Sequence, residues 1–307
     1  MILLVVPALM VSVAAVAGFA GRAWWGFDLL SNFRPQYAAA GIALGFALVA
    51  GRWRKTGGVV LAIGLLNGAL VALLWLAPSG VGDRSGEEFT VMSFNVRAAN
   101  EAMAGVFDYI GRTGPDVVFL HETTRLWEDA ATAADLGYEI YTVGQPGLIF
   151  STMVLAPAGA EFESFGFATA EPRAVEVVFA SGESEIRVLG SHPLSPITAE
   201  RAALRDAQLA WVAEWAAAQS GPVVVTGDLN ATQWSHAWRS LVAETGLRDS
   251  TRGFGLQPSF PMDGNPLVRV QIDHLLHSND LVTLDRDLGP RLGSDHAPVI
   301  VRLALAS

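Results

Sequence analysis

The chain contains no cysteine in 307 residues. Disulfides, thiolate nucleophiles and Cys-ligated zinc are therefore excluded. Charge is also scarce: 16% of residues are Asp, Glu, Lys or Arg, and 51% are hydrophobic, with a mean hydropathy of +0.36. A soluble globular chain carries about 25% charged residues, so part of this chain is expected in lipid. Acid is rarest at the start. Residues 1–80 hold one acid, Asp28, beside Arg22, Arg34, Arg52, Arg54 and Lys55, which leaves the remainder at a net charge of −14. An acidic domain repels a polyphosphate backbone at long range, which disfavours tight, sequence-blind nucleic-acid binding.

Three apolar runs fill the first quarter, and a membrane-spanning helix needs about 20 apolar residues. Residues 1–20 and 57–78 meet that length, and 36–51 is shorter and rich in Gly and Ala. These define a membrane domain over 1–78, with Trp24, Trp25, Trp53 and Trp75 near the run ends, where amphipathic rings favour the interface. The small residues at 15–20 would permit a cleaved signal peptide, but the positive n-region is missing. The Arg52–Lys55 loop is predicted to face the cytoplasm. A multi-pass inner-membrane protein with an extracytoplasmic, periplasmic C-terminal domain follows from that. Residues 79–87 read as a Gly/Ser/acid linker.

From 88 to 305 the pattern becomes globular α/β. Strand-like runs fall at 89–95, 116–121, 148–155, 174–180, 186–191, 222–227, 270–276 and 298–305. A helix is predicted over 198–219, capped by Thr198, with Leu204, Gln208, Trp211 and Trp215 on one face. Polar residues gather where the strand-like runs end: Asn95, His121-Glu122, Ser191-His192, Asp228-Leu229-Asn230, Asp273-His274 and Ser294-Asp295-His296. Strands packed in register bring their ends together, so these side chains are candidates for one cleft. The residue types suit phosphate-ester hydrolysis. Mg²⁺ takes one or two carboxylates and leaves room for water and phosphate. A carboxylate orients or deprotonates water, and an Asp-held His donates to developing charge.

The motifs SFNV (93–96), PDVVFLHE (115–122), SHP (191–193), GDLN (227–230), IDH (272–274) and SDHAPV (294–299) resemble, in order, those of the endonuclease/exonuclease/phosphatase superfamily. The resemblance covers about 88–305, as a catalytic domain. It implies an α+β four-layer sandwich of two mainly antiparallel sheets flanked by helices, here preceded by about three transmembrane helices. It also implies a Mg²⁺-dependent (or Mn²⁺-dependent) phosphoesterase acting on nucleic acid, phospholipid or a small phosphate ester. By the same resemblance Glu122 is the metal-binding Glu with Asn95 beside it, and Asp295 is an additional ligand. Asp228 activates or aligns water, and Asn230 contacts the phosphate. His296 and His192 flank the phosphate, and Asp273 orients His296. Arg173 and Arg205 are weaker phosphate contacts, equally readable as surface or structural. His121 departs from the Gln that many members carry there, and Ser151-Thr152 from their Ser-Arg. His121, His236, His274 and His277 read as structural. The competing class is a catalytically inactive, membrane-tethered binding domain. Loss of Glu122, Asp228 or His296 would mark it, and all three are present.

Overall fold

A computed structural model of the chain describes residues 2–76, 87–144, 151–166 and 172–306. The first seventy residues are helical: α1 (Ile2–Ala17), a 3₁₀ turn (Gly18–Ala23), α2 (Trp25–Ser31), α3 (Arg34–Ala50) and α4 (Arg54–Ala72). Two segments are long and apolar enough to cross a membrane, Leu3–Ala23 and Arg54–Ala72. The middle helix α3, expected as the third span, has 17 residues and opens on a buried Arg34. The bundle closes through small residues. A side-chain carbon on Gly41 would lie 2.8 Å from the Cα of Gly64, so α3 and α4 meet backbone to backbone. Val6, Met10, Phe46, Val59 and Leu65 point outward and are more than half exposed. Trp24 and Trp75 are exposed at one end of the bundle and Trp53 at the other.

Of the expected linker, only Glu87 lies within the described residues. The remaining chain runs β1 (Glu88–Asn95), α5 (Met103–Thr113), β2 (Val117–His121), α6 (Arg125–Ala134), β3 (Glu139–Val143), β4 (Thr152–Ala156), β5 (Glu161–Gly166), β6 (Pro172–Ser181) and β7 (Ser184–Ser191). It continues with α7 (Ala199–Ala218), β8 (Val223–Asp228), α8 (His236–Thr245), β9 (Arg248–Asp249), β10 (Asp273–His277), β11 (Leu281–Leu288) and β12 (Val299–Leu305). One six-stranded sheet has the order β11-β12-β1-β2-β4-β3 and the other β5-β6-β7-β8-β10-β9. Pairs β1–β2 and β7–β8 are parallel and the others antiparallel.

Four layers result from three apolar clusters. Val91, Phe119, Val177, Val188, Val224 and Val301 fill the space between the sheets. Met92, Leu120, Met153, Phe107 and Trp127 bind the first sheet to α5 and α6. Leu189, Val225, Leu209, Val212 and Trp238 bind the second to α7 and α8. Central strands buried on both faces read as continuous apolar runs rather than alternating ones, which is why β1, β2 and β8 are visible in the sequence. Strands β3, β5, β9 and β11 were not anticipated; each ends its sheet and carries charge or partial exposure. The expected run 148–155 appears as β4 from Thr152, and 148–150 lies outside the described residues.

Helix α7 starts where expected, with the Thr198 side chain accepting from Arg201 N at 3.2 Å. Its inward stripe keeps Gln208 and Trp215 of the expected face and adds Ala202, Arg205, Leu209, Val212 and Ala213, while Leu204 and Trp211 lie at the flank.

The helical bundle is bonded to the sandwich. Asp28 of α2 accepts from Arg205 Nη2 at 3.0 Å and from the His236 backbone N–H. Asn32 accepts from Thr232 at 2.8 Å, Gln36 donates to Arg269 O at 2.7 Å, and Leu74 O accepts from Gly253 N at 2.8 Å. Trp234 packs on Val71 and Leu74.

The two sheets approach closely at Gly190, where an added Cβ would collide with the Phe119 ring. Gly190→Ala is expected to lower stability by about 1–3 kcal/mol through overpacking, read as a drop in the thermal unfolding midpoint. An unchanged midpoint would show that Phe119 has room to move.

Candidate active site

Both sheets contribute to one cleft at a single edge of the sandwich. Strands β1, β2, β7 and β8 bring their C-terminal ends there, carrying Asn95, Glu122, His192 and Asp228. Asp273 and His296 arrive by a different route. The expectation placed Asp273 within a strand spanning 270–276, but β10 begins at Asp273. Because β10 runs antiparallel to β8, its first residue pairs directly with Asp228, the last of β8. The loop before β12 likewise delivers Asp295 and His296 to the same edge.

Three residues around the cleft hold left-handed backbone: Arg97 (φ 62°), Glu122 (φ 62°) and Asn230 (φ 49°). Such conformations cost on the order of 1–3 kcal/mol each for non-glycine residues and persist where the surroundings enforce them. At Glu122 the backbone turns sharply off the end of β2. Asn95 Nδ2 then spans the cleft, donating to Glu122 Oε1 at 3.0 Å and Asp228 Oδ2 at 3.1 Å, while its Oδ1 accepts from Arg97 N. Asp228 Oδ1 accepts from Asn230 N at 3.0 Å, and the Asn230 amide donates to Pro193 O.

Two histidines face Asp228. His192 Nε2 lies 3.6 Å from Asp228 Oδ2 and 3.8 Å from Glu122 Oε1. His296 Nε2 lies 3.6 Å from Asp228 Oδ2, and its Nδ1 is 2.9 Å from Asp273 Oδ2. Asp273 Oδ2 also accepts from Ser259 Oγ at 2.5 Å, and the Phe260 ring lies 4.7 Å from the His296 ring.

Burial pushes the Asp228 carboxyl up, against the pull of His296 and His192. Burial opposes the charge on His296 too, but Asp273 and Asp228 outweigh it and raise that imidazole to about 10. Asp273 is also disfavoured by burial, yet the His296 charge and hydrogen bond, with Ser259, hold it below the usual carboxylate range. The result is an ion pair behind a destabilised carboxylate.

Asp228, Asp273 and His296 lie close enough together to be a cation-binding group by distance alone. Their bonding argues against a cation among them: His296 carries the positive charge, and its Nδ1 is taken by Asp273. The open oxygen donors lie on the other side of Asp228, at Glu122, which is part-exposed. Carboxylate and amide oxygens are the donors hard divalent cations take, and a buried carboxyl with its proton affinity raised is short of positive charge. The residues present fit such an ion there. Asp295 Oδ1 lies 3.5 Å from Ser294 Oγ, and its carboxylate helps hold His296 charged.

Arg205 is not a phosphate contact. It is 2% exposed, with Nη2 on Asp28, Nε on Asp206 at 2.6 Å and Nη1 on Asn230 O at 2.7 Å. The guanidinium faces inward because α7 presents it to the Asn230 loop and to α2. Arg173 lies in β6, and its side chain is outside the described residues. His121 is fully buried between Ser93 and Thr152, and burial, then the neighbouring His192, lowers it to about 3. His274 bonds Ala231 O, His277 bonds Thr283, and His236 begins α8. Three supporting residues were not anticipated. Ser294 Oγ donates to Asn95 O at 2.7 Å, and it stands in the SDH motif. Asp28 is conspicuous as the one acid of the first eighty residues. Ser259 carries no sequence signal.

A cleft of paired carboxylates, two histidines and asparagines at the edge of a four-layer sandwich defines a phosphoester-hydrolase class of site. The chain belongs to the Endonuclease/Exonuclease/phosphatase family, whose model matches residues 92–296 and whose members are hydrolases of phosphoester bonds, typically dependent on a divalent metal. No curated protein matches the chain. Among solved structures it is similar to a humanized D. rerio TDP2 (18% identity, TM-score 0.59, covering 70% of this chain and 98% of that one). A Bacteroides thetaiotaomicron mannosyl-6-phosphatase is also similar (19%, TM-score 0.55, 70% and 99%). So is an endonuclease/exonuclease/phosphatase from Beutenbergia cavernae (19%, TM-score 0.56, 72% of each). At these identities the likeness is one of fold.

Two outcomes test this geometry. The folded His296 is raised above its unfolded value near 6.5, so its stabilisation is complete below that pH and lost as pH rises through about 10. Asp273→Asn should move the His296 titration midpoint, followed by NMR, downward; an unmoved midpoint would refute the ion pair. Asp28→Ala should cost about 3 kcal/mol in denaturant unfolding, because Arg205 is left buried with one partner fewer.

Proposed function

We propose that the protein is a membrane-anchored, Mg²⁺-dependent phosphoesterase, with Mn²⁺ able to substitute, that hydrolyses a phosphodiester or phosphomonoester. The observation that carries the reading is the Asn95–Glu122–Asp228 group with His192 and His296 against the same carboxylate. Glu122, with Asp295 as a further oxygen donor and Asn95 hydrogen-bonded beside it, would hold the cation, which would supply charge neutralisation on the phosphate oxygens. Asp228 aligns the attacking water and takes its proton, a role that a carboxyl raised by burial suits. His296, charged, donates to the non-bridging oxygens as negative charge builds. Asp273 keeps that ring oriented and protonated. His192 and Asn230 flank the phosphate from the second sheet.

The membrane reading rests on the exposed apolar surface of the bundle and on tryptophans at its two ends. The sandwich bonds to α2, the start of α3 and the end of α4, opposite the Arg52–Lys55 loop. With that basic loop cytoplasmic, the bundle is multi-pass and the catalytic domain is extracytoplasmic.

A Mg²⁺ titration of the hydrolysis rate tests the assignment. Asp228→Asn is expected to lose roughly 10²–10⁴-fold at any metal concentration. Glu122→Gln should require more Mg²⁺ and recover part of its rate at high concentration. Chelator should abolish turnover. Near wild-type turnover by Asp228→Asn would sink the mechanism.

A further inference from the structure

A groove of about 500 Å³ opens where the helical bundle meets the sandwich. One wall is the first turns of α3, from Pro35 to Ala40, and the other is the segment from Leu256 to Gln271. Its size is within the roughly 300–1,000 Å³ of small-molecule sites. Four features of it point to a ligand of a definite kind.

The lining is apolar along most of its length, with Ala39, Ala40, Trp234, Leu256 and Val270 among its residues. Leu267, in its lining, and the neighbouring Val268 are 74% and 47% exposed. Two buried acceptors, Gln36 Oε1 and Gln271 Oε1, have no hydrogen-bond partner, although both amide nitrogens are bonded. Finally, Arg269 lines the groove and has no carboxylate partner among the described residues; its guanidinium is held by Pro261 O and Met262 O.

The groove and the candidate active site share a wall. Pro258 faces the groove, and the next residue, Ser259, bonds Asp273. Phe260 follows, against the His296 ring. One short segment, residues 258–260, therefore serves both.

We infer that the groove takes the hydrocarbon chain of a membrane lipid carrying a phosphodiester headgroup, and that such lipids are the substrates. This rests on the phosphoesterase reading above. An arginine without a carboxylate partner complements the phosphodiester charge. In the reaction, water adds its oxygen to phosphorus, one P–O ester bond breaks, and the leaving alcohol takes up the proton. No further reactant is required.

The test uses the full chain in amphipol with Mg²⁺ and a series of alkyl p-nitrophenyl phosphates, from methyl to decyl, below their aggregation concentrations. Burial of each added methylene is expected to lower KM by up to about fourfold until the groove is full. Ala40→Trp, which fills the groove, should flatten that dependence. Should Ala40→Trp fail to fold, Leu267→Asp at the exposed lip reads the same dependence. A KM independent of chain length in the wild type, with the methyl ester hydrolysed, overturns the lipid inference and leaves the phosphoesterase reading standing. So does hydrolysis of p-nitrophenyl phosphate without hydrolysis of any diester. Failure to hydrolyse either class of ester overturns the phosphoesterase reading itself.

Discussion

Asp228 ends a strand whose every residue is buried, and its carboxylate lies within 3.6 Å of two imidazoles and 3.1 Å of an amide. A carboxylate in such a place is unstable unless positive charge or hydrogen-bond donors are arranged around it. Much of the surrounding structure answers that demand. His296 stays charged beside it because Asp273 and Ser259 stand behind the ring. Asn95 reaches from the other sheet, and Asn230 turns back through left-handed backbone to donate its N–H. The compensation is incomplete, since burial still pushes the Asp228 carboxyl up. On the proposed reading, that remaining shortage of positive charge suits the site to a cation and to a proton from water.

The same logic extends outward to the helical bundle. Asn230 O is held by Arg205, and Arg205 is neutralised by Asp28 of α2. Asp28 in turn accepts the first backbone N–H of α8. The chain that begins in the apolar bundle thus ends three bonds from Asp228. An arginine in the position of a plausible substrate contact serves instead to fasten the bundle to the catalytic loop. The apolar groove beside Arg269 lies at that same junction, so anchoring and substrate access become aspects of one interface.

Much of this was legible in the sequence. The apolar runs at 1–20, 36–51 and 57–78 stood out as helices by length and hydrophobicity alone, and α1, α3 and α4 occupy most of each. Eight strand-like runs matched real strands within a few residues, because strands buried on both sides are continuously apolar. Asn95, Glu122, His192, Asp228 and His296 stood out because a polar residue ending such a run is costly without a purpose. Edge strands β3, β5, β9 and β11 escaped notice because partial exposure relaxes their composition, and β9 is only two residues long.

What tertiary structure alone decided are the relations between distant residues. Antiparallel pairing of β10 with β8 sets Asp273 opposite Asp228, and no local pattern encodes that register. Helix α7 turns Arg205 inward because its partner, 177 positions away, lies on α2. Ser259 joins the Asp273–His296 pair from a loop without periodicity, and the rise of His296 to about 10 needs both carboxylates within reach of one ring. Composition and hydrophobic period are local properties and survive in the bare sequence; charge pairing across the seam between two sheets depends on distances that exist only once the sheets have packed.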